Sequence, residues 1–330
     1  MAVVGPLVLV VGWYSWVKAF RYPPERDLVL EVGPVDLPAS STHEGAMQPL
    51  PTRHVLEQNG WLHGFRIELV DAGGHRVPSE LLHHVKVVSM NRRELFHPIM
   101  LRVIGAGAET QPPALPRALG YPLHEGDTLL ITAMLHNPGS RAYGDVRVRV
   151  IGRFTPSAGR PEPFEVFPFF THVTAPDSTS SYDLPPGRSE RSRLIQPAIG
   201  GRVIGLGGHL HRYGVELTLE DITTGELLWK SEAVRDSAGN VLEVPVRFFL
   251  WRGGLPLRSD RVYRMTGVYF NPTGDTIRGG GMATMGGALR PHAGAAWPAL
   301  DRQHPIYLLD LARELGTAPG GQHVHAGHHD

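Results

Sequence analysis

An all-β protein of antiparallel sandwiches is the fold class the sequence predicts, on three observations. Helical periodicity is scarce, short alternating apolar and polar runs recur along the chain, and Gly, Pro, Asn or Asp cuts each run. With 39 glycines and 29 prolines in 330 residues, turn material suffices for many short strands. Strands at this spacing favour sandwiches over a parallel α/β sheet, which needs helical segments between its strands.

The first element is the exception. "MAVVGPLVLVVGWYSWVKAF" carries an apolar run over residues 2–17, shorter than the about 20 residues of a membrane span. Lys18 and Arg21 follow it, and Trp13, Tyr14 and Trp16 suit a membrane–water interface. Residues 1–20 are expected to be a signal peptide or membrane anchor, with an extracytoplasmic protein (secreted, periplasmic or membrane-anchored) behind them. The alternative is an apolar first strand or helix packed on the body.

The strands come next. "HGFRIELVDAGG" alternates Phe65, Ile67 and Leu69 against polar residues and ends in a turn. "VRVRVIGRF" sets Val146, Val148 and Val150 on one face and Arg147 and Arg149 on the other. "TPSAGRPEPFEVFP" (Thr155 to Pro168) is the best internal boundary, because its prolines do not suit central strands. It divides the body into residues 40–154 and 155–300. "GVELTLEDITTGELLWKSEA" reads as a hairpin, with Val215, Leu217 and Leu219 alternating before a "TTGE" turn and Leu227 to Trp229 returning. No short-period repeat is evident. The end, "GTAPGGQHVHAGHHD" (316–330), reads as a flexible His-rich tail able to capture copper or zinc loosely.

Composition narrows the chemistry. Lys plus Arg equals Asp plus Glu at 32 each, so no basic field recruits nucleic acid or an anionic surface. Cysteine is absent, which excludes disulfides, thiolate metal sites and cysteine nucleophiles. A transition metal would have to be held by His, Met or carboxylate, and 18 histidines keep that option open.

Four stretches carry candidate ligands. In "LLHHVKVVS", His83 and His84 are adjacent and should diverge on a regular strand. They share an ion only if a bulge or twist redirects one, or if different ring nitrogens are used. In "LLITAMLHNPGS", His136 ends an apolar strand before an Asn-Pro-Gly turn; such a histidine is otherwise structural. In "GLGGHLHRYG", His209 and His211 project side by side, about 6.5–7 Å apart along the strand. Alone, that pair is weak evidence for a metal and reads sooner as surface or hydrogen-bonded histidines. In "VYFNPTGDTIRGGGMATMGG", a glycine-rich loop carries Met282 and Met285, ordinarily packing residues, although the glycines leave little core to fill. A thioether beside imidazoles suits copper, above all Cu(I).

In this order, "HH", "LHN", "HLH" and the Gly-rich Met loop resemble the copper type II, ascorbate-dependent monooxygenases, the family of peptidylglycine α-hydroxylating and dopamine β-monooxygenases. The resemblance spans about residues 60–290. It implies two jelly-roll-like sandwiches across a solvent-filled cleft, with two coppers per chain. His83, His84 and His136 would hold the electron-transfer copper. His209, His211 and Met282 would hold the oxygen-activating copper and form the catalytic site, with Met282 preferred to Met285 because it directly follows "GGG". Ascorbate would be the reductant, O2 the co-substrate, and a small molecule or peptide the compound hydroxylated. The chain departs from the disulfide-rich animal enzymes in having no cysteine, and their substrate-anchoring residues cannot be matched onto it.

Other readings stay open. A non-catalytic copper-binding or delivery protein would keep the ligands and lose turnover. An adhesion sandwich would bind no metal. A zinc hydrolase would need a carboxylate base, yet Glu216, the nearest to the His-x-His, does not share a face with His211. Arg92, Arg93 and His97 in "SMNRRELFHP" either line the cleft or form a solvated turn, the latter being the expectation. His43, His54, His63, His75, His124, His172, His292 and His304 show no partner at ligand spacing. Oligomeric state is not predicted.

Overall fold

The computed structural model describes residues 23–41, 46–107, 114–157, 162–176, 178, 180–250 and 253–317. The expected leader, and the tail from residue 318, lie outside the described residues. Among the described residues no helix is long and apolar enough to cross a membrane.

Eight strands build the first sandwich: β1 (Arg26–Leu37), β2 (Thr52–Val55), β3 (Gly60–Val70), β4 (Leu82–Arg93), β5 (Met100–Ala106), β6 (Leu119–Leu123), β7 (Thr128–Leu135) and β8 (Tyr143–Pro156). Its two sheets run β1-β8-β3-β6 and β2-β7-β4-β5, so first pairs with last, second with seventh, third with sixth and fourth with fifth. That is a long hairpin rolled up on itself, the jelly roll. The alternation in β8 shows why it folds this way. Val146, Val148 and Val150 are fully buried, while Arg149 and Arg147 point out to Glu31 of β1 at 2.7 and 3.4 Å.

A short β9 (Phe164–Glu165) runs parallel to β6, and the second sandwich follows. Its strands are β10 (Phe167–His172), β11 (Tyr182–Leu184), β12 (Gly187–Ile195), β13 (Gly201–Leu210), β14 (Gly214–Asp221) and β15 (Glu226–Glu232). After these come β16 (Val234–Arg235), β17 (Val241–Glu243), β18 (Arg247–Phe248), β19 (Leu255–Leu257), β20 (Tyr263–Asn271), β21 (Ile277–Gly281) and β22 (Ala283–Pro291). The sheets run β10-β22-β13-β18, with β19 also on β13, and β12-β20-β14-β15. The jelly-roll pairing is repeated. Pro168 is tolerated because β10 is an edge strand.

A helix, α1 (Pro305–Glu314), follows, with His304 capping it by accepting the Ile306 N–H. It lies on the outer face of β4, β5 and β7: Tyr307 packs with Val88, Met100 and Leu130. Asp310 takes Arg102 at 2.5 Å, and Glu314 takes Lys86 at 2.6 Å and the Thr132 hydroxyl at 3.2 Å.

The two sandwiches interlock at the segment after β4. Leu95 and Phe96 insert into the second core, while Phe167 of β10 belongs to the first and stacks on Trp297 at 4.2 Å. The expected solvated turn in "SMNRRELFHP" is therefore wrong. Residues 94–97 are buried, and His97 meets the Thr171 hydroxyl at 3.2 Å. Between the sandwiches Glu94 is fully buried; its carboxylate accepts the backbone N–H groups of Leu95, Arg102 and Phe170 at 2.9–3.1 Å. Burial outweighs these donors and pushes the Glu94 carboxyl up to about 7.

This has a pH consequence. An unfolded glutamate titrates near 4.5, so between there and about 7 the folded protein holds more protons than the unfolded chain. The Glu94 contribution to stability is full below 4.5 and falls as pH rises through 7. Urea midpoints should show that decline in the wild type. Glu94→Gln should lose this part of the profile and be less stable by about 1–3 kcal/mol, because its amide NH2 faces a backbone N–H. A variant with the wild-type pH profile would exclude Glu94 as its source.

Candidate metal centres

The first histidine cluster exists because of a bulge. Leu82 pairs with Leu135 but His84 with Met134, so β4 advances two residues while β7 advances one. The extra residue is His83, and it is turned toward its neighbour instead of the opposite face. The two Nδ1 atoms come to 2.8 Å, with ring centroids 4.9 Å apart. His136 follows β7, and its N–H donates to the Leu81 carbonyl at 3.0 Å. Its ring centroid lies 5.9 Å from that of His83. The next residue secures this corner: Asn137, buried, donates its amide to the Arg141 and Pro38 carbonyls at 2.7 and 3.0 Å.

The second cluster lies at the end of β13, where the ring centroids of His209 and His211 are 5.3 Å apart and nearly perpendicular. The glycine before them is forced by packing: a Cβ on Gly208 would lie 2.3 Å from Leu217 Cδ1 and 2.4 Å from the Thr284 carbonyl. Met282, half-buried, is the residue between β21 and β22. Met285 pairs with Gly208 and is fully buried in the second core.

Tyr269, on β20, joins the two ligand-bearing segments. Its buried hydroxyl accepts the N–H groups of His211 and Met282, each at 3.0 Å, and donates to the Met282 carbonyl. Burial pushes its phenol well above the ordinary tyrosine range, so it stays a neutral donor. The sequence reading missed Tyr269, although it sits in the quoted "VYFNP".

All six predicted residues line one cavity of about 1300 Å³ between the sandwiches. Met285 does not line it. His172, which the sequence reading set aside, lines it too. Among the described residues no three His, Asp or Glu side chains converge as a ligand set. His136 therefore stands beside the His83–His84 pair and not within bonding reach of a common point. Burial lowers the pKa of His136 and takes His172 down to about 3, with Arg193 and His209 adding to the latter, so both rings are neutral. Glu216 lies in the other sheet of the second sandwich, held by Lys230 at 2.7 Å, and cannot serve these histidines as a base.

No protein-family model matches the chain, and no curated protein matches it. Among solved structures it is similar to PNGase F, a glycosylasparaginase from Flavobacterium meningosepticum, at 10% identity and a TM-score of 0.39, over 81% of this chain and 97% of that one. A peptide-N(4)-(N-acetyl-β-D-glucosaminyl) asparagine amidase gives 11% and 0.39 over 81% and 98%. A structure of Sulfolobus turreted icosahedral virus gives 8% and 0.37 over 89% and 98%. At these scores the likenesses carry no argument about chemistry.

The two methionines and Tyr269 make separable predictions in thermal or urea unfolding. Met285→Ala should cost about 2–5 kcal/mol through the cavity it leaves, and Met282→Ala far less. Tyr269→Phe should cost about 1–3 kcal/mol, since two backbone N–H groups lose their acceptor. Equal losses for Met282→Ala and Met285→Ala would contradict their different packing.

Proposed function

We propose that the chain is a copper- and ascorbate-dependent monooxygenase acting on a C–H bond of a small molecule or peptide. His83, His84 and His136 would hold an electron-transfer copper, and His209, His211 and Met282 an oxygen-activating one. The observation that carries this reading is the single cavity both sets line, while the competing methionine is spent on the core.

The chemistry of the donors supports this reading. Two ligand atoms about 2.0 Å from an ion and at right angles to one another lie about 2.8 Å apart. The His83 and His84 Nδ1 atoms have that separation. A rotation of the His136 ring is needed to complete the first set. In the second, imidazoles with a thioether and no thiolate favour copper over zinc, magnesium or calcium.

Copper there would cycle between Cu(I) and Cu(II), so that two electrons and two protons convert C–H plus O2 into C–OH and water, with ascorbate as donor. The protein's own contribution is positional. The bulge aims His83, Asn137 secures the turn after His136, and Tyr269 ties the His211 backbone to Met282. The two sandwiches set the distance between the clusters. An extracytoplasmic location belongs to the same proposal, since it accords with an oxidising, copper-using chemistry and an apolar leader.

Copper stoichiometry on purified protein is the test. Two coppers per chain are expected, with His136→Ala and His209→Ala each losing about one. Met282→Ala should weaken Cu(I) at one site and abolish ascorbate-driven O2 uptake, while Met285→Ala keeps both. Less than one copper in the wild type would overturn the reading. Two coppers without O2 uptake would leave a copper-binding protein on this scaffold.

A further inference from the structure

Residues 318–330, "APGGQHVHAGHHD", carry four histidines in the same two patterns as the cavity. His323 and His325 stand two apart, like His209 and His211, and His328 and His329 are adjacent, like His83 and His84. Such nitrogen donors bind Cu(II) more tightly than Zn(II) or the earlier divalent metals of the row. Neither proposed copper site uses this segment.

The fold delivers the segment to the rim of the cavity. Helix α1 ends at Glu314, and Gly316 takes a left-handed φ of 69°. The Gly316 and Thr317 N–H groups return to the Arg313 and Ala312 carbonyls at 3.1 and 2.8 Å, which closes the helix and turns the chain. Arg313, Glu314 and Gly316 line the cavity, and Gly316 is exposed, so the chain leaves from the mouth. Both sandwiches hold the helix end in that place. Glu314 takes Lys86 of β4 at 2.6 Å, and Arg313 donates to the Pro176 carbonyl in the loop after β10.

The first histidine pair is within reach from there. Lys86 and His84 lie two residues apart on β4 and both line the cavity. That spacing puts them on one face, about 6.5–7 Å apart. Glu314 therefore stands one lysine side chain away from the neighbour of His84. An extended chain covers about 3.3–3.6 Å per residue, so His323 can lie up to about 20 Å from Thr317 and His329 up to about 40 Å.

Preorganisation sets the direction of transfer. The bulge in β4 brings the His83 and His84 Nδ1 atoms to 2.8 Å before any ion arrives. The sequence of 318–330 is rich in Gly and Ala and lacks apolar periodicity, so it gives its imidazoles no such framework. An ion held by this segment bears the entropy of ordering the chain, and an ion on β4 does not. Imidazole for imidazole, exchange toward β4 runs downhill. Joining donor and acceptor in one chain also makes the exchange intramolecular, at an effective concentration on the order of millimolar.

We propose that residues 318–330 are a copper-capture arm, which takes Cu(II) from small chelators and passes it to the His83–His84 pair. Only ligands are exchanged: each arm nitrogen that leaves the ion is replaced by one of the pair, and the copper stays Cu(II). This rests on the copper reading of the cavity and adds the route by which the first site is filled.

The test loads the full-length protein with Cu(II) presented as its bis-glycinate complex, stops samples with a brief pulse of EDTA and counts retained copper over time. The comparison protein carries His323→Ala, His325→Ala, His328→Ala and His329→Ala together and should keep the wild-type urea midpoint. With copper limiting, the wild type should load about tenfold faster than this variant, in a first-order phase whose rate does not change with protein concentration. Given excess copper and time, both should retain the same amount. His83→Ala should lose the first-order phase. A separate peptide of residues 318–330, added in equal amount to the quadruple variant, should not restore the rate. Equal loading rates, full rescue by the separate peptide, or a first-order phase that survives His83→Ala would each overturn the arm while leaving the copper sites in place. A quadruple variant that binds no copper even from excess Cu(II) would overturn the arm and the copper reading together.

Discussion

The cavity depends on how Glu94 is satisfied. Its carboxylate is the only side chain among those described that takes N–H groups from β5 of one sandwich and β10 of the other. Those two strands face each other across the junction, with Leu95 and Phe96 delivered into the second core by the same turn. An isolated carboxylate in such a place would be costly; three backbone donors make it tolerable, and protonation near neutrality relieves the remainder. The relative setting of the sandwiches therefore rests on a polar bond network with directional requirements, and not on apolar contact alone, which is non-directional.

The two jelly rolls share a second constraint. Asn137 lies two residues beyond the end of β7 and Asn271 ends β20, strands in the same position of each roll. Each asparagine is buried and precedes a proline. Each donates its amide to the carbonyl four residues on, Arg141 at 2.7 Å and Asp275 at 2.8 Å. Each accepts the N–H two residues on, Gly139 at 3.1 Å and Thr273 at 2.9 Å. The same device closes the same corner twice, yet His136 stands before one asparagine and exposed Phe270 before the other. The scaffold is repeated and the chemistry-bearing positions are not, which is why no short-period repeat shows in the sequence.

How much could be read beforehand followed the range of the interaction. Alternation in residues 146–150 and 217–219 is local, and both runs are strands with the expected faces, whereas Val215 is the extra residue of a bulge and only half-buried. The spacing of His209 and His211 is local too. The His83 bulge is not: its position is set by which β7 residue pairs with Leu82, and sequence reasoning could state only that sharing an ion needs a bulge, a twist or different ring nitrogens. Tyr269 and His172 act across 13 or more residues, through a hydroxyl and a register that only the folded sheet defines. The helix over Pro305–Glu314 has a local signal, the capping His304 followed by Pro305. The solvated-turn expectation at Arg92–His97 failed because Glu94 is buried, with three backbone N–H groups satisfying its carboxyl group.

Helix α1 adds a link that a chain without disulfides needs. Lys86 lies two residues beyond His84 in β4 and is held by Glu314; the adjacent Arg313 donates to the Pro176 carbonyl, four residues beyond His172. One turn of helix thus touches the strand that carries the first histidine pair and the loop that follows His172. A cross-link would restrict the unfolded chain; this strap acts only in the folded state, through bonds that must be made at both ends. Loosening it leaves each sandwich its own strand pairings, and the two remain joined by Leu95 and Phe96 in the second core, Phe167 in the first, and Trp297 against both. Chemistry that needs both clusters would be sensitive to α1 and Glu94, even though neither contains a ligand.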